Sequence, residues 1–457
     1  MKLILLSGGS GKRLWPMSND SRSKQFLRVL PHGDDQAISM LQRVWEQLNR
    51  VGLTEHSFVC ASKAQQEMIY AQLGKVPVIV EPERRDTFPA IALAVAFLLD
   101  RIGCDEQEPI VVMPVDHFVD DAYFEQLAKL DHVLEATSAD LVLLGVKPTA
   151  PSSQFGYMTV EKNTFLEKDL LTITSFIEKP EADRAQLLIE QGALWNCGVF
   201  CFRPGFLRDR MKQKGYATSY EAIASDFRAL PKRSFDYEIV EQVQSIAAIP
   251  YEGTWKDLGT WSELAQEVGK PLVGLGTAED CANTYVINEL GIPIVAMGLR
   301  DAVVVATPDG ILVSDLKESA KIKNAVAAFD QRPMMEERFW GNYRVLDYSK
   351  LDDGTEVITK MLMIHAGRTI SYHKHMHRTE NWTIVAGRGE IVIGTNLMTV
   401  QTGDVLRAFP DQWHAIRATE TMQIIEVQQG QELVEEDILR RFDHWQEMMD
   451  HIAHMAI

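Results

Sequence analysis

Over its first 265 residues the chain alternates short apolar runs with amphipathic stretches, and that alternation limits it to few folds. Residues 3–6, 57–60, 76–80, 110–113 and 141–146 are nearly unbroken apolar runs of the length of buried strands. Between them, residues 37–49, 63–73 and 89–99 carry apolar side chains at helical spacing. Strands alternating with helices predict an α/β, Rossmann-like domain with a mostly parallel sheet, whose ligands sit at the carboxyl ends of the strands. From about residue 266 the pattern changes to short β runs at 284–287, 294–298, 302–306 and 311–314, a small β-rich connector with no visible repeat. Asp330-Gln331-Arg332-Pro333 is the expected linker. Beyond it, strand-like runs separated by Gly354, Gly367, Gly387, Gly389 and Gly403 predict a C-terminal β-barrel, and residues 435–455 a helix. The expected domains are therefore 1–265, 266–330 and 331–457.

Composition narrows the partners. A formal charge of −18 argues against a nucleic-acid binder, which needs a broad basic surface. An anionic small molecule remains compatible with the local cations Lys12, Arg13 and Lys24. The apolar run at 3–6 is too short for a signal sequence or a membrane span, and no later segment fits a span. Five cysteines with no Cys-x-x-Cys predict buried thiols in a reducing cytoplasm rather than a disulfide framework.

The first run leads straight into Ser7-Gly8-Gly9-Ser10-Gly11-Lys12-Arg13-Leu14-Trp15-Pro16. Glycines at Gly8, Gly9 and Gly11 let backbone N–H groups approach phosphate oxygens, and Arg13 adds a charged fork. The loop is not a Walker A motif, because Leu6 stands where its first glycine belongs and Arg13 where its Ser/Thr belongs. Nor is it the dinucleotide fingerprint, whose third glycine is replaced by Leu14.

With Ser23-Lys24-Gln25-Phe26-Leu27, this loop resembles the sugar-phosphate nucleotidyltransferases, specifically the mannose-1-phosphate guanylyltransferases. The resemblance continues through Glu81-Pro82-Glu83-Arg84-Arg85-Asp86-Thr87, Pro114-Val115-Asp116-His117, Phe176-Ile177-Glu178-Lys179-Pro180, Trp195-Asn196-Cys197-Gly198-Val199-Phe200 and Trp255-Lys256-Asp257-Leu258-Gly259-Thr260-Trp261. It implies transfer of GMP from GTP to mannose 1-phosphate, with Mg²⁺ held by Asp116 and Asp257. Arg13 and Lys24 would face the triphosphate, Lys179 the sugar phosphate, and Glu178 and Asn196 the sugar hydroxyls. Glu81, Arg84 and Gly156 join the substrate-binding set by the same resemblance, which also implies a homodimer. The chemistry suits these residue types, because in-line phosphoryl transfer depends on positioning and charge neutralisation. Asp86 and Phe88 depart from the family's Asn and Ala near the expected base pocket. Pro151-Ser152-Ser153-Gln154-Phe155-Gly156-Tyr157 departs from P-E-T-G-Y-G-Y beside the sugar pocket.

In the barrel region, Gly367, His373, His375, Glu380 and Gly387 stand at every spaced position of the first cupin motif. Residues 373, 375 and 377 would share one strand face, a turn would bring Glu380 back beside them, and His414 would follow on a later strand. Two or three imidazoles with a carboxylate suit Zn²⁺, Mn²⁺, Fe²⁺ or Ni²⁺. The second motif is imperfect, lacking its glycine after Pro410. Arg338-Phe339-Trp340-Gly341-Asn342-Tyr343 and His373-Lys374-His375-Met376-His377-Arg378-Thr379-Glu380-Asn381-Trp382 resemble the mannose-6-phosphate isomerase domain fused to bacterial guanylyltransferases. That resemblance implies interconversion of mannose 6-phosphate and fructose 6-phosphate, for which the sequence identifies no base. Three alternatives stay open: transfer to another sugar 1-phosphate (a manno-heptose or glucose) with a non-catalytic cupin, a non-catalytic sugar-nucleotide sensor, and a cupin oxygenase.

Overall fold

The computed structural model describes residues 1–9, 12–19, 22–33, 36–160, 170–329 and 331–455. They form two compact units, Met1–Pro271 with Ser314–Ala325, and Leu272–Val313 with Val326–Ile457.

The first unit is built on a nine-stranded sheet. Its order is Val78–Glu81, Ser57–Ser62, Lys2–Leu6, Ile110–Pro114, Leu194–Phe202, Leu141–Val146, Ile246–Tyr251, Leu171–Ile177 and Tyr157–Val160. Seven strands run one way. Leu194–Phe202 and Leu171–Ile177 run against them. Both faces are covered: Leu5, Val111 and Val142 enter one apolar core, and Ile4, Val112 and Leu143 the other. Burial on two faces is why these strands read as unbroken apolar runs.

Helix Lys63–Leu73 lies where its spacing predicts. Helix Met40–Arg50 starts three residues later than the apolar pattern, because Ser39 and Gln42 close a capping box. The Ser39 hydroxyl accepts from the Gln42 backbone N–H, and the Gln42 side-chain Oε1 from the Ser39 backbone N–H, each at 3.1 Å. Residues 36–38 pair with Leu30–His32 instead. At the carboxyl edge, Leu6 and Pro114 are in register, so the phosphate-type loop and Asp116 leave adjacent strands side by side.

In the second unit, the β-rich segment proves to be a short parallel coil. Gly276–Glu279 pairs with Ile294–Met297, Ala282 with Arg300, and Tyr285–Asn288 with Ala302–Thr307, each partner eighteen residues on. This regular period is invisible in the sequence, where the rungs share little more than small or apolar residues. The coil's own apolar cluster gathers only Val286, Ala296 and Val304, too little for a core of its own, although Ile287, Val303, Val305 and Ala306 are buried as well. Accordingly it clusters with the barrel, while Ser314–Ala325 joins the first unit, and the cut differs from the three segments expected. Asp309 ties the coil to the segment after it by accepting from the Met334 N–H at 2.8 Å.

The barrel itself is two antiparallel sheets. One orders Met335–Arg338, Gly341–Lys350, Glu356–Ile364, Met422–Gly430, Arg378–Ala386 and Val405–Ala408. The other orders Asn396–Gln401, Arg388–Ile393, His414–Ala418, Thr369–Lys374 and Leu439–Phe442. Ile358, Leu362, Ile384, Ile391, Ile416 and Ile424 fill the space between. The C-terminal helix spans only Trp445–Met455, because Leu439–Phe442 pairs as an edge strand with Thr369–Lys374, which overrides its helical pattern. All five cysteines are free. Among the described residues no helix is long and apolar enough to cross a membrane.

Candidate functional site

In the first unit, the loop after Lys2–Leu6 is held by side chains from the next motif. The Ser23 hydroxyl donates to the Gly9 carbonyl at 2.8 Å and the Gln25 amide to the Ser7 carbonyl at 2.5 Å. Gly9 has φ +123°, a conformation that excludes a side chain there. Gly11 lies outside the described residues. Gly8 and Gly9 are exposed at the carboxyl edge of the sheet, as a phosphate-binding backbone requires.

Lys24 follows directly. Its ammonium lies 2.6 Å from Asp257 Oδ1 and 2.9 Å from Asp116 Oδ2. The two acids, 141 positions apart, meet because Trp255–Asp257 forms a two-stranded ribbon with His117–Val119, Asp257 opposite His117. Burial works against both charge states: it would depress Lys24, and the two carboxylates outweigh it and hold Lys24 above its ordinary range. It would raise Asp116, and Lys24 outweighs it and holds Asp116 below. A cation thus already sits between two hard oxygen ligands, the donor set that suits magnesium.

A second cluster gathers the sugar-type motifs. Lys179 Nζ is 2.6 Å from Glu178 Oε1. Asn196 donates to Asp236 Oδ1 at 2.8 Å, and Asn196 Oδ1 accepts from the Gly198 N–H at 3.1 Å. Burial, reinforced by the Glu178 charge, pushes the Asp236 carboxyl up to about 7. A Cβ at Gly156 would stand 2.6 Å from Glu178 Oε2 and 2.6 Å from Phe176 Cζ, so a larger residue would push one of those side chains aside. Arg13 reaches this side as well, donating to Gln154 Oε1 at 3.3 Å. Phe155, Trp195, Trp255 and His117 form a continuous aromatic contact between the two clusters, with successive ring centroids 4.7, 6.2 and 4.9 Å apart.

Other expected residues fall differently. Glu81 is buried beside Cys60, its carboxyl pushed up to about 7 by burial, while the nearby Arg84 charge opposes that. Phe88, expected near a base pocket, is wholly buried against Tyr216, and Asp86 caps the helix it precedes. Those two departures serve the core and the helix start. Asp236, Gln154 and His117 were not singled out for these contacts. Asp236 belongs to a four-residue helix whose pattern carries no functional signal.

In the barrel, His373, His375 and His414 bring ligand atoms within 4.8 Å of one another. Glu380 completes the group, its oxygens 3.2 Å from His375 Nε2 and 3.5 Å from His414 Nε2. Each imidazole is oriented from behind: His373 Nδ1 contacts the Ser371 carbonyl at 2.6 Å, His414 Nδ1 the Gln412 carbonyl at 2.9 Å, and His375 Nδ1 the Asp437 carbonyl. Backbone acceptors at Nδ1 leave the Nε2 lone pairs facing inward, which is how metal-ligating histidines are prepared. Burial keeps all three rings neutral by depressing their basicity, His375 to about 4. Burial would raise Glu380, but positive charge on His414 and His375 in their protonated forms, with the Arg378 guanidinium, pulls it down to about 2. This donor set fits a divalent transition metal.

His377 is exposed, because the strand ends at Lys374 and the expected common face ends with it. The glycine missing after Pro410 is replaced by Asp411 at φ +64°, in the left-handed region that aspartate tolerates. Sequence reasoning placed Arg378 and Gln428 within motifs but gave no role to them, nor to Lys360, Glu426 and Glu435, the other polar side chains of this inner face. Each reads singly as one more residue of an alternating strand or loop.

Residues 2–270 match the family model for nucleotidyl transferases. The chain belongs to that family. Residues 330–444 match the model described as mannose-6-phosphate isomerase C-terminal, so the chain has the two-part organisation of the fused proteins. It is 31% identical to the xanthan biosynthesis protein XanB of Xanthomonas campestris, over 96% of this chain and 97% of that one. It is 28% identical to mannose-1-phosphate guanylyltransferase of Escherichia coli, over 97% and 98% respectively. Among solved structures, the crystal structure of mannose-1-phosphate geranyltransferase from Thermus thermophilus superposes with a TM-score of 0.59 at 28% identity, covering 71% of this chain and 98% of that one.

Proposed function

We propose that the first unit transfers GMP from GTP to mannose 1-phosphate, releasing pyrophosphate and forming GDP-mannose, and that the barrel interconverts mannose 6-phosphate and fructose 6-phosphate. The convergence of Lys24, Asp116 and Asp257 carries the first assignment. In this reading Asp116 and Asp257 hold Mg²⁺, whose charge offsets that of the triphosphate. The exposed N–H groups of Gly8 and Gly9, with Arg13 and Lys24, orient the triphosphate so that its α-phosphorus faces the incoming oxygen. Lys179 holds the sugar phosphate, and Glu178 and Asn196, the latter fixed by Asp236, take sugar hydroxyls. The P–O bond to the α-phosphorus forms as the bond to pyrophosphate breaks, so positioning and charge supply most of the rate. Glu81 and Arg84 belong to the nucleotide side of this reading, and a homodimer is the expected assembly, which sedimentation would measure.

The decisive experiment is a matrix of nucleoside triphosphates against sugar 1-phosphates with Mg²⁺, read by pyrophosphate release. GTP with mannose 1-phosphate is expected to give the highest kcat/KM. One observation favours a second reading: Gln154, where the family has glycine, contacts Arg13 beside the sugar cluster. Release only with a manno-heptose or glucose 1-phosphate would establish that alternative instead.

For the barrel, the three oriented imidazoles with Glu380 support a resident Zn²⁺, Mn²⁺, Fe²⁺ or Ni²⁺, which would supply Lewis-acid stabilisation of negative charge on oxygen. Fructose 6-phosphate formation from mannose 6-phosphate across those four metals tests this half, and no product with any of them would refute it.

A further inference from the structure

Isomerisation between an aldose and a ketose needs a group that removes a proton from one carbon and returns it to the next. The metal-type ligands do not supply one. We propose that Glu426 is the catalytic base of the barrel, carrying the proton between C2 and C1 of the sugar phosphate; this rests on the isomerase reading above.

The strand Met422–Gly430 alternates, with Met422, Ile424, Glu426 and Gln428 buried on the inner face. Glu426 is in register with Lys360 on one neighbouring strand and with Trp382 on the other. Gln428 is in register with Glu380. The two carboxylates therefore stand on the same inner face, one pleat step of about 7 Å apart along the barrel wall. Both Glu426 oxygens are held: Trp382 Nε1 donates to Oε1 at 3.0 Å, and Gln428 Nε2 donates to Oε2 at 2.9 Å. The same Gln428 amide donates to Glu380 Oε1 at 3.1 Å. The Trp382 ring packs on His414, centroids 5.2 Å apart. Glu426 is thus fixed against the ligand cluster from two sides.

The other carboxylates nearby are engaged differently. Glu380 faces the histidines, Glu435 pairs with Lys360 at 3.2 Å, and Glu336 pairs with Arg338. Asp437 accepts from the Met376 and His377 N–H groups. Among the described residues Glu426 has no cation within ion-pair distance. Burial, reinforced by the Glu380 charge and opposed by Lys360, pushes its carboxyl up to about 7, which suits a group that must both take and give back a proton near neutrality.

The step balances without a co-reactant. The C2–H bond of open-chain mannose 6-phosphate breaks to the Glu426 oxygen, its electron pair forms the C1–C2 double bond, and the carbonyl π pair moves onto O1. A proton passes from the C2 hydroxyl to O1. Glu426 then returns its proton to C1 as the C2 carbonyl forms.

The test uses the full chain with Glu426→Gln and Glu426→Asp. Four readouts apply: fructose 6-phosphate formation, exchange of the C2 proton of mannose 6-phosphate in deuterated water, metal content, and pyrophosphate release as a control for folding. For Glu426→Gln, isomerisation and exchange are expected to fall about 10²- to 10⁴-fold, the usual contribution of a general base. Metal content and pyrophosphate release should stay unchanged, and Glu426→Asp should retain a measurable fraction. Exchange within tenfold of wild type in Glu426→Gln overturns the base while leaving the isomerase reading intact. Loss of metal from that variant also overturns it, making Glu426 a positioning residue. A wild-type chain that neither isomerises nor exchanges with any of the four metals refutes the isomerase reading and the base with it.

Discussion

Replacing Lys24 with methionine should tighten metal binding in the absence of nucleotide. Lys24 Nζ lies 2.6 and 2.9 Å from the two carboxylates proposed to hold the metal, so a divalent ion has to displace the ammonium before it can bind. Breaking a buried ion pair costs about 3–5 kcal/mol. Here the Lys24, Asp116 and Asp257 side chains are 18%, 31% and 25% exposed, and solvent screening brings that to about 2 kcal/mol. Methionine keeps a similar volume without the charge, so this cost disappears from the binding equilibrium. Two kcal/mol corresponds to a gain of about thirtyfold in affinity. Mn²⁺ titration followed by electron paramagnetic resonance, without nucleotide, measures it directly. Pyrophosphate release should meanwhile drop by about 10² or more, since Lys24 also faces the triphosphate in the proposed reading. Unchanged or weaker Mn²⁺ binding in the variant would show that the ammonium does not hold the metal position, and the reasoning would fail.

Gly156→Ala places a methyl group 2.6 Å from both Glu178 Oε2 and Phe176 Cζ, so steady-state kinetics should show KM for the sugar phosphate raised by about tenfold with KM for the nucleotide unchanged. Glu81 is held at about 7 against an ordinary 4.5 by burial, so its folded form prefers the proton. Its contribution is therefore most favourable below pH 4.5, declines as pH rises to about 7 and is flat above, and Glu81→Gln should unfold at higher urea at pH 8, by about 1–3 kcal/mol, with a smaller difference at pH 5. His414→Ala removes one of three inward imidazoles and should lower the metal content of the purified chain at least tenfold by atomic emission, with pyrophosphate release retained.

How much of this was legible in the sequence follows from what each residue is constrained by. The buried strands of the first unit were readable because a sheet covered on both faces leaves runs such as residues 110–113 almost wholly apolar. The reversed strand Leu194–Phe202 was not, since direction depends on which neighbour a strand joins and leaves no mark in its own composition. Helix starts were misplaced where a hydrogen bond competed with apolar spacing, as at Ser39 and Gln42. The eighteen-residue coil was hidden because its rungs ask only for small or β-prone side chains, which vary freely between turns.

The site divides along the same line. Residues set by short-range backbone demands, such as Gly9 at φ +123° in its phosphate-type loop, or His373 near the end of its strand with His375 just past it, betray themselves by spacing. Those whose role comes from register with a distant strand do not. Glu426 becomes notable only when Lys360, 66 positions earlier, and Trp382, 44 positions earlier, are placed on either side of it. In one dimension it is a single acid in an alternating strand; in the barrel it is a buried carboxylate with no ion partner among the described residues, tied through one amide to Glu380. A buried carboxylate that is hydrogen-bonded but has no paired cation still costs stability when it ionises, and proton transfer beside the imidazole cluster is a use of that group that the geometry supports.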